Sequence, residues 1–183
     1  MNVRTVTIGG LFVSLCLNPL WAEDDGTDNS VVEHRLSLAT ALRAAEISVI
    51  SCRKQGLNVS AAVVDNSGLL QVLLRDTHAK PVTTSLSQRK AYTAANFSKD
   101  TTQLANLSDT AVGRTTGILM SAGGVLIKVD DVVYGAIGVS GSDTGAKDDE
   151  CAKAGLLAIS KGLSKPPEDE QASSDEAKND QGS

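Results

Sequence analysis

Residues 58–75 carry the segment NVSAAVVDNSGLLQVLLR, which decides the fold. The stretch of residues 57–64 is short, uncharged and rich in valine and alanine, which is typical of a strand buried on both faces or nearly so. Residues 65–68, with the sequence DNSG, give a strong turn signal, and residues 69–75 form the apolar return strand. The segment therefore predicts a β-hairpin.

Helical patterns lie on both sides of this hairpin. Residues 37–55 predict a helix that Ser37 can cap, because apolar side chains recur there at helical spacing. A second helix, which ends near residue 97, can be capped by Thr83 or Thr84 after a polar loop. The last helix opens on the acidic residues 148–150, whose negative charge is favourable at a helix N-terminus.

The second half of the chain adds further strands. Residues 102–107 predict a short helical turn, and an irregular stretch then leads to the apolar residues 118–120. Strands follow at residues 125–129 and 132–140, joined by a turn at the two aspartates between them. Consecutive strands joined by tight turns indicate an antiparallel sheet, so we predict an α+β fold with about five central strands and helices packed on them.

Both ends of the chain differ in composition from this core. Residues 1–22 have the charge, apolar run and small final residue of a secretory signal peptide, with an uncleaved anchor as the alternative. Residues 23–35 predict a flexible polar leader. Residues 164–183 contain no Leu, Ile, Val or aromatic side chain and hold six acids, which is typical of a disordered acidic tail. The folded domain is therefore expected at residues 36–163.

Cysteine usage is consistent with an exported protein, either periplasmic or secreted. Removal of residues 1–22 would leave two cysteines, Cys52 and Cys151. In an oxidising compartment an even number of cysteines permits a disulfide between them. Two buried free thiols are the alternative.

Composition and motifs exclude several functions. The net charge is −5, so nothing favours a nucleic-acid partner. The apolar run near the N-terminus is too short for a convincing membrane span, and we expect no stable membrane anchor. The sequence has no P-loop, no G-x-S-x-G elbow and no H-E-x-x-H motif. After removal of residues 1–22 the chain would hold two cysteines and two histidines, and their wide dispersal argues against a zinc site of the Cys/His kind.

Several separate motifs follow one another along the core in a recognisable order. They are NVSAAVVDNSG at residues 58–68, RD at 75–76, QRKAYTAANF at 88–97, GG at 123–124, GAIGVSG at 135–141 and DECAKAG at 149–155. In this order they closely resemble the GlcG/HbpS-like family of small haem-binding proteins, over about residues 36–162. The resemblance implies a profilin-like, three-layer α/β/α sandwich, homo-oligomers, and binding of haem or a related tetrapyrrole.

The resemblance directs attention to residues 76–97 as the haem site. Haem iron needs an axial donor, and His78, in the loop before the second helix, is the first candidate for this ligand. Relatives that have a histidine in this loop carry it at the position of Val82. The alternative for His78 is a solvent-exposed loop histidine with no ligand. His34, Tyr92, Tyr134, Met120 and the two cysteines are the other possible donors.

Other residues of this region are candidates for contacts with the macrocycle. Arg89 and Lys90 could pair with propionates, or could instead lie on a solvated helix face or bridge to another subunit. Tyr92 and Phe97 could stack on the ring system, with core packing as the alternative. The remaining candidates for cofactor contact are Thr93, Gly123 and Gly124, and the two glycines could equally serve backbone geometry.

Three functions are compatible with these features. The first is an exported haem-binding protein with a role in haem or iron sensing or handling. The second is an enzyme that acts on haem or on a small oxidised metabolite, which the scarcity of acid-base residues disfavours. The third is an oligomeric structural or assembly partner that has lost the family ligand. We identify no catalytic residue.

Overall fold

The computed structural model describes residues 33–163. The predicted signal peptide and acidic tail, and nearly all of the predicted leader, lie outside these residues. The elements in chain order are α1 (Leu38–Lys54), β1 (Ser60–Asp65), β2 (Leu70–Arg75), α2 (Val82–Phe97), a 3-10 helix (Thr101–Leu107), β3 (Gly124–Val129), β4 (Val132–Ser140) and α3 (Gly145–Ser160).

The predicted hairpin forms β1 and β2, and β1 becomes an inner strand of the sheet. The strand order is β2-β1-β4-β3, and every neighbouring pair is antiparallel. The carboxylate of Asp65 closes the hairpin turn by accepting hydrogen bonds from the backbone N–H groups of Ser67 (3.0 Å) and Leu69 (2.9 Å). Every residue of β1 is buried, as its uncharged, Val- and Ala-rich sequence predicts.

The sheet has four strands among the described residues, rather than the predicted number of about five. Residues 118–120, which could have supplied a further strand, pair with no other strand. Ile118 and Met120 instead pack with Leu104 in a small apolar cluster of their own. A short apolar run can be buried without joining a sheet, so its composition alone does not distinguish the two outcomes.

Helices cover both faces of the sheet, which gives the three-layer α/β/α architecture. The helices α1 and α3 pack against one face and enclose the larger core cluster, which includes Val63, Ile127 and Ile137. The helix α2 packs against the other face, and the buried apolar residues of that contact are alanines apart from Val64. Small side chains let α2 approach the strands closely.

The beginnings of the helices differ from one another in their capping. Ser37 caps α1 as predicted, and its hydroxyl accepts a hydrogen bond from the Thr40 N–H at 3.2 Å. The caps predicted for α2 are wrong, because this helix begins at Val82 after Pro81. Thr83 and Thr84 lie inside the first turn, where their hydroxyls donate to backbone carbonyls of the preceding loop.

A disulfide joins the end of α1 to the beginning of α3. In the structure it links Cys52 and Cys151, whose Cα atoms are 5.5 Å apart, a usual separation for such a bridge. Both residues are completely buried in the larger core cluster. The bridge ties together the two helices that cover the same face of the sheet.

Candidate functional site

A groove lies at the N-terminal end of α2, where the loop before this helix meets the end of β4. Its volume is about 560 Å³, and we call it the His78 groove. Three separate parts of the chain form its walls, so the groove exists only when the sheet is assembled. It is lined by residues 56–58, by residues 140–143, and by His78, Lys80, Thr83 and Leu86.

His78 is exposed in this groove. Its imidazole forms no hydrogen bond with another described residue, so both ring nitrogens are available to a ligand. The loop that carries it is nevertheless well fixed. The backbone N–H of Asp76 donates to the Val59 carbonyl, the Ala79 N–H donates to the Asp76 carbonyl, and both distances are 3.0 Å. The Arg75 guanidinium also donates to the Ala79 carbonyl at 2.6 Å.

The carboxylate of Asp76 provides a second anchor for this loop. It is buried, and it accepts hydrogen bonds from Arg53 Nε at 3.0 Å and from the Thr77 N–H at 2.7 Å. The hydrogen bond from Arg53 is the main reason why the pKa of Asp76 lies below its usual value, with the charge of His78 contributing in the same direction. The negative charge therefore persists to low pH beneath the His78 loop.

The opposite wall of the groove depends on a glycine. Gly141 has φ of +142°, and a Cβ atom at this position would lie 2.5 Å from the Asn58 carbonyl oxygen. Only a residue without a side chain therefore fits between the end of β4 and the segment before β1. The next residue, Ser142, donates its backbone N–H to Asp148 Oδ1 at 3.0 Å. This wall is thus attached to the first turn of α3.

The charge around the groove favours an anionic group. Lys80 lines it as an exposed cation. Asp143 also lines it, but Lys147 Nζ lies 3.1 Å from Asp143 Oδ1, and the hydrogen bond from Lys147 lowers the pKa of that carboxyl group. The lysine partner offsets the negative charge of Asp143. A carboxylate-bearing ligand would consequently meet no uncompensated acid among the described lining residues.

Lys90 does not lie in this groove, and the expected contact with a propionate is wrong for the structure. Its side chain is 5% exposed, and Nζ donates to Asp148 Oδ2 at 2.8 Å and to the Val139 carbonyl at 2.9 Å. The alternative of a solvated helix face is also wrong. Sequence spacing could not show that the α2 residue and the α3 residue meet at the end of β4, since their separation along the chain is large.

The two candidate glycines lie where the backbone leaves no room for a side chain. A Cβ atom on Gly123 would lie 2.6 Å from the Val139 carbonyl oxygen and 3.0 Å from Lys90 Nζ. A Cβ atom on Gly124 would lie 2.5 Å from the Lys90 carbonyl oxygen and 2.6 Å from a methyl group of Thr101. Protein atoms fill the space that a side chain would need at both positions, which supports the backbone role given above as the alternative for these glycines.

Thr93 and Phe97 also point into the protein. Thr93 is fully buried, and its hydroxyl donates to the Arg89 carbonyl and accepts from the Leu119 N–H, each at 2.8 Å. Phe97 packs against the small cluster that contains Ile118. The structure therefore supports core packing for Phe97, and Thr93 holds the loop after the 3-10 helix against α2.

Arg89 and Tyr92 line a second, smaller groove on the outer side of α2. Its volume is about 370 Å³, and we call it the Arg89 groove. Ser85, Gln88, Thr116 and Gly117 complete its lining. The structure therefore separates the predicted site residues, because His78 belongs to one groove while Arg89 and Tyr92 belong to another.

Sequence reasoning missed Lys80 and most of the surrounding walls as parts of the His78 groove. The motif at residues 135–141 was a usable signal, since it ends on the glycine that forms one wall. Residues 56–58 gave no signal, because nothing in their composition indicates that they meet the His78 loop. Within residues 33–163, no group of three or more His, Cys, Asp or Glu side chains is arranged to hold a metal ion.

Comparison with known proteins agrees with this architecture. A family model described as "Haem degrading protein HbpS-like" matches residues 36–157. The chain belongs to the HbpS-like family. The predicted resemblance and the α+β fold are thereby confirmed.

Individual relatives extend the comparison. Protein GlcG of Escherichia coli K12 is 37% identical over 91 residues, which are 48% of this chain and 68% of GlcG. The crystal structure of a double mutant of Streptomyces reticuli HbpS has a TM-score of 0.68 and 28% identity, covering 87% of this chain and 99% of that one. The match to PduOC, which was crystallised as a heme complex, covers 68% of this chain and 95% of the PduOC chain, with a TM-score of 0.63. Because the sequence identity is 22%, this match shows the fold alone. In the part of this HbpS-like chain that the structure describes, no helix is both long enough and apolar enough to cross a membrane.

Proposed function

We propose that this HbpS-like protein binds haem or a related tetrapyrrole in the His78 groove, with His78 as the iron ligand. The observation that carries the proposal is an exposed imidazole without a hydrogen-bond partner among the described residues, lining a groove of about 560 Å³. We further propose that the protein is exported and acts in haem or iron handling. The heme complex of PduOC and the family description support the choice of ligand.

The residues of the groove fit such a ligand. Its volume lies within the range of about 300–1,000 Å³ that is usual for small-molecule sites. Leu57 and Leu86 supply apolar surface, His78 supplies the donor that haem iron requires, and Lys80 supplies a cation for a propionate. When bound, haem would supply the iron centre for redox or ligand chemistry. The chain itself would hold the iron through His78 and orient the macrocycle through Lys80.

The two histidines allow a controlled test of the ligand. Hemin titrated into the purified protein should produce a saturable Soret shift, with a dissociation constant of about 1 μM or below. His78→Ala should change the position of the Soret band because the axial field changes. His34→Ala is the matched control, since the His34 ring packs edge-on against Tyr134 with 5.8 Å between ring centroids and does not line the groove. It should leave the spectrum unchanged.

Two results would contradict the proposal in different ways. A wild-type titration that matches free hemin would reject haem binding and favour a protein that has lost the family ligand. A normal titration with an unchanged His78→Ala spectrum would support haem binding but reject His78 as the iron ligand.

Lys80→Met should weaken hemin binding about fivefold to tenfold without moving the Soret band, because an ion pair with a propionate is lost. Lys99→Met, at an exposed lysine outside the groove, is the control.

Self-association belongs to the same proposal. Strand β2 pairs only with β1 among the described strands, so its other edge is open. Leu70 and Leu73 on this strand are 42% and 37% exposed. An open edge with exposed leucines favours pairing with a second copy. Light scattering should show an oligomer that Leu73→Lys dissociates, and a wild-type monomer would contradict this part of the proposal.

A further inference from the structure

We propose that the Arg89 groove is a separate binding site for a small planar carboxylate, such as an aromatic or conjugated acid. The groove has a volume of about 370 Å³ and lies outside the His78 groove. Its lining combines one guanidinium, one phenol ring and neutral polar side chains, with no acidic residue. This combination suits a ligand that has a flat apolar body and one negative end.

The guanidinium of Arg89 has donor capacity to spare. One of its terminal nitrogens, Nη2, donates to the Ile118 carbonyl at 2.7 Å, which fixes the side chain. Its Nε atom is buried and has no hydrogen-bond partner among the described residues. Nor does Arg89 form an ion pair with a carboxylate of residues 33–163. The other terminal nitrogen, Nη1, is bonded to no described residue and is not buried, so a carboxylate ligand in the groove can accept charge-assisted hydrogen bonds from it.

Tyr92 supplies the surface for the planar part of the ligand. It lies one helical turn from Gln88 and close to Arg89 on α2, and it is 38% exposed. Its ring packs beside Gly68, where a Cβ atom would lie 2.9 Å from Cδ2 of the tyrosine. The hairpin turn therefore limits the movement of the ring, and the exposed part can stack on a conjugated system.

Two hydrogen bonds fasten the loop wall of the groove to the helix wall. Arg89 holds the Ile118 carbonyl, and the Thr93 hydroxyl holds the Leu119 N–H at 2.8 Å. These two contacts fasten residues 118–119 to α2, next to Thr116 and Gly117 of the groove. A site that is already formed loses less entropy on binding than a mobile one.

Thr116 offers a test that leaves Arg89 in place. Benzoate is the probe, and benzamide is its neutral isostere; both are titrated calorimetrically into the full chain. Benzoate should bind saturably below about 1 mM, and benzamide should bind at least tenfold more weakly, because the negative end supplies the discrimination. Thr116→Asp would place a carboxylate beside Arg89 and should weaken benzoate binding about tenfold or more, whereas Thr116→Asn should change it less than threefold.

The same titration on hemin-saturated protein separates this site from the His78 groove. Unchanged benzoate affinity in the presence of hemin supports two sites. Displacement of benzoate by hemin would overturn the proposal by placing Arg89 in the tetrapyrrole site. Equal binding of benzoate and benzamide, equal affinities for the two Thr116 variants, or no saturation by about 10 mM would also overturn it. Failure of hemin binding alone would leave the carboxylate site standing.

Discussion

Lys90 Nζ lies 2.8 Å from Asp148 Oδ2, and this ion pair joins the two outer layers of the sandwich across the end of β4. The two side chains are only 5% and 4% exposed. Asp148 also accepts the backbone N–H of Ser142, which lies in the wall of the His78 groove. The pair therefore holds a part of the candidate site in place, although neither Lys90 nor Asp148 lines the groove.

Removal of one partner should be strongly destabilising. Lys90→Met leaves the Asp148 carboxylate buried without its cation, which should lower the free energy of unfolding by about 3–5 kcal/mol in urea denaturation. Lys147→Met is the control, since the pair between Lys147 and Asp143 is exposed and screened by solvent and should contribute little to the free energy of unfolding. The double variant Lys90→Met/Asp148→Leu should recover part of the loss, because no charge stays buried, although the Ser142 N–H loses its acceptor. Equal effects of the two lysine variants would contradict this view of the buried pair.

Thr93 allows a similar comparison at a neutral group. Thr93→Val keeps the shape but removes the acceptor for the buried Leu119 N–H, and the variant should lose about 1–3 kcal/mol of unfolding free energy. Thr93→Ser keeps the hydroxyl and should lose less. Urea unfolding measures both, and hemin affinity should remain unchanged in each. A Thr93→Ser variant as unstable as Thr93→Val would show that the hydrogen bond contributes nothing.

The sequence predicted well those features that are set by neighbouring residues. The hairpin at residues 58–75 follows from an apolar run, a DNSG turn and a second apolar run, and Ser37 caps α1 through an adjacent N–H. The resemblance of the ordered motifs to the GlcG/HbpS-like family added the prediction of three layers, α/β/α. The local pattern gave a wrong N-cap for α2. Threonine is a common N-cap residue, but Thr83 and Thr84 lie within the helix, which begins after Pro81.

The candidate site could be predicted only in part, because it depends on contacts between distant segments. His78 does line a groove, but no local pattern places residues 56–58 or 140–143 beside it. Lys90 is adjacent to Arg89 in the chain, yet a rotation of about 100° per residue along a helix turns one inwards and the other outwards. From their chemical type alone, His78, Arg89 and Lys90 are predicted to share one haem site, whereas the fold places them in three different surroundings.

The Asp76 carboxylate should make stability sensitive to acid. Its pKa in the folded protein lies below its ordinary value of 3.8, mainly because of Arg53. Its contribution is therefore fully present above that ordinary value and is lost as the pH falls through the folded-state pKa. Asp76→Asn should cost about 1 kcal/mol at neutral pH, since Arg53 is largely exposed.

The difference between wild type and Asp76→Asn should shrink as the pH falls below about 4, as urea unfolding at a series of pH values would show. Asp131→Asn, at a fully exposed carboxylate, is the matched control and should show no such trend. If the difference in free energy of unfolding between wild type and Asp76→Asn grew towards low pH, the prediction would be contradicted.

The disulfide should be a major source of stability. Cys52 and Cys151 are 99 residues apart in sequence, and a bridge that closes such a loop should stabilise by about 4–5 kcal/mol in the chain-entropy model. Cys52→Ala/Cys151→Ala should lower the urea midpoint by a corresponding amount. Reducing agent should destabilise the wild type but leave this variant unchanged. Two free thiols in denatured, unreduced protein that lacks residues 1–22 would contradict the bridge.

Export should be visible in the mass of the protein. We propose cleavage after Ala22, so intact mass spectrometry should show a chain that begins at Glu23. This chain would contain no tryptophan, because Trp21 is the only one in the sequence, and tryptophan emission would therefore be absent.

Leu11→Asp interrupts the apolar run of the proposed signal peptide and should retain the precursor inside the cell with its cysteines reduced. Leu38→Asp, at an exposed position of the folded domain, should leave export unchanged. Wild-type protein that keeps Met1 and remains in the cytoplasm would contradict export, and it would also remove the oxidising compartment in which the disulfide is expected to form.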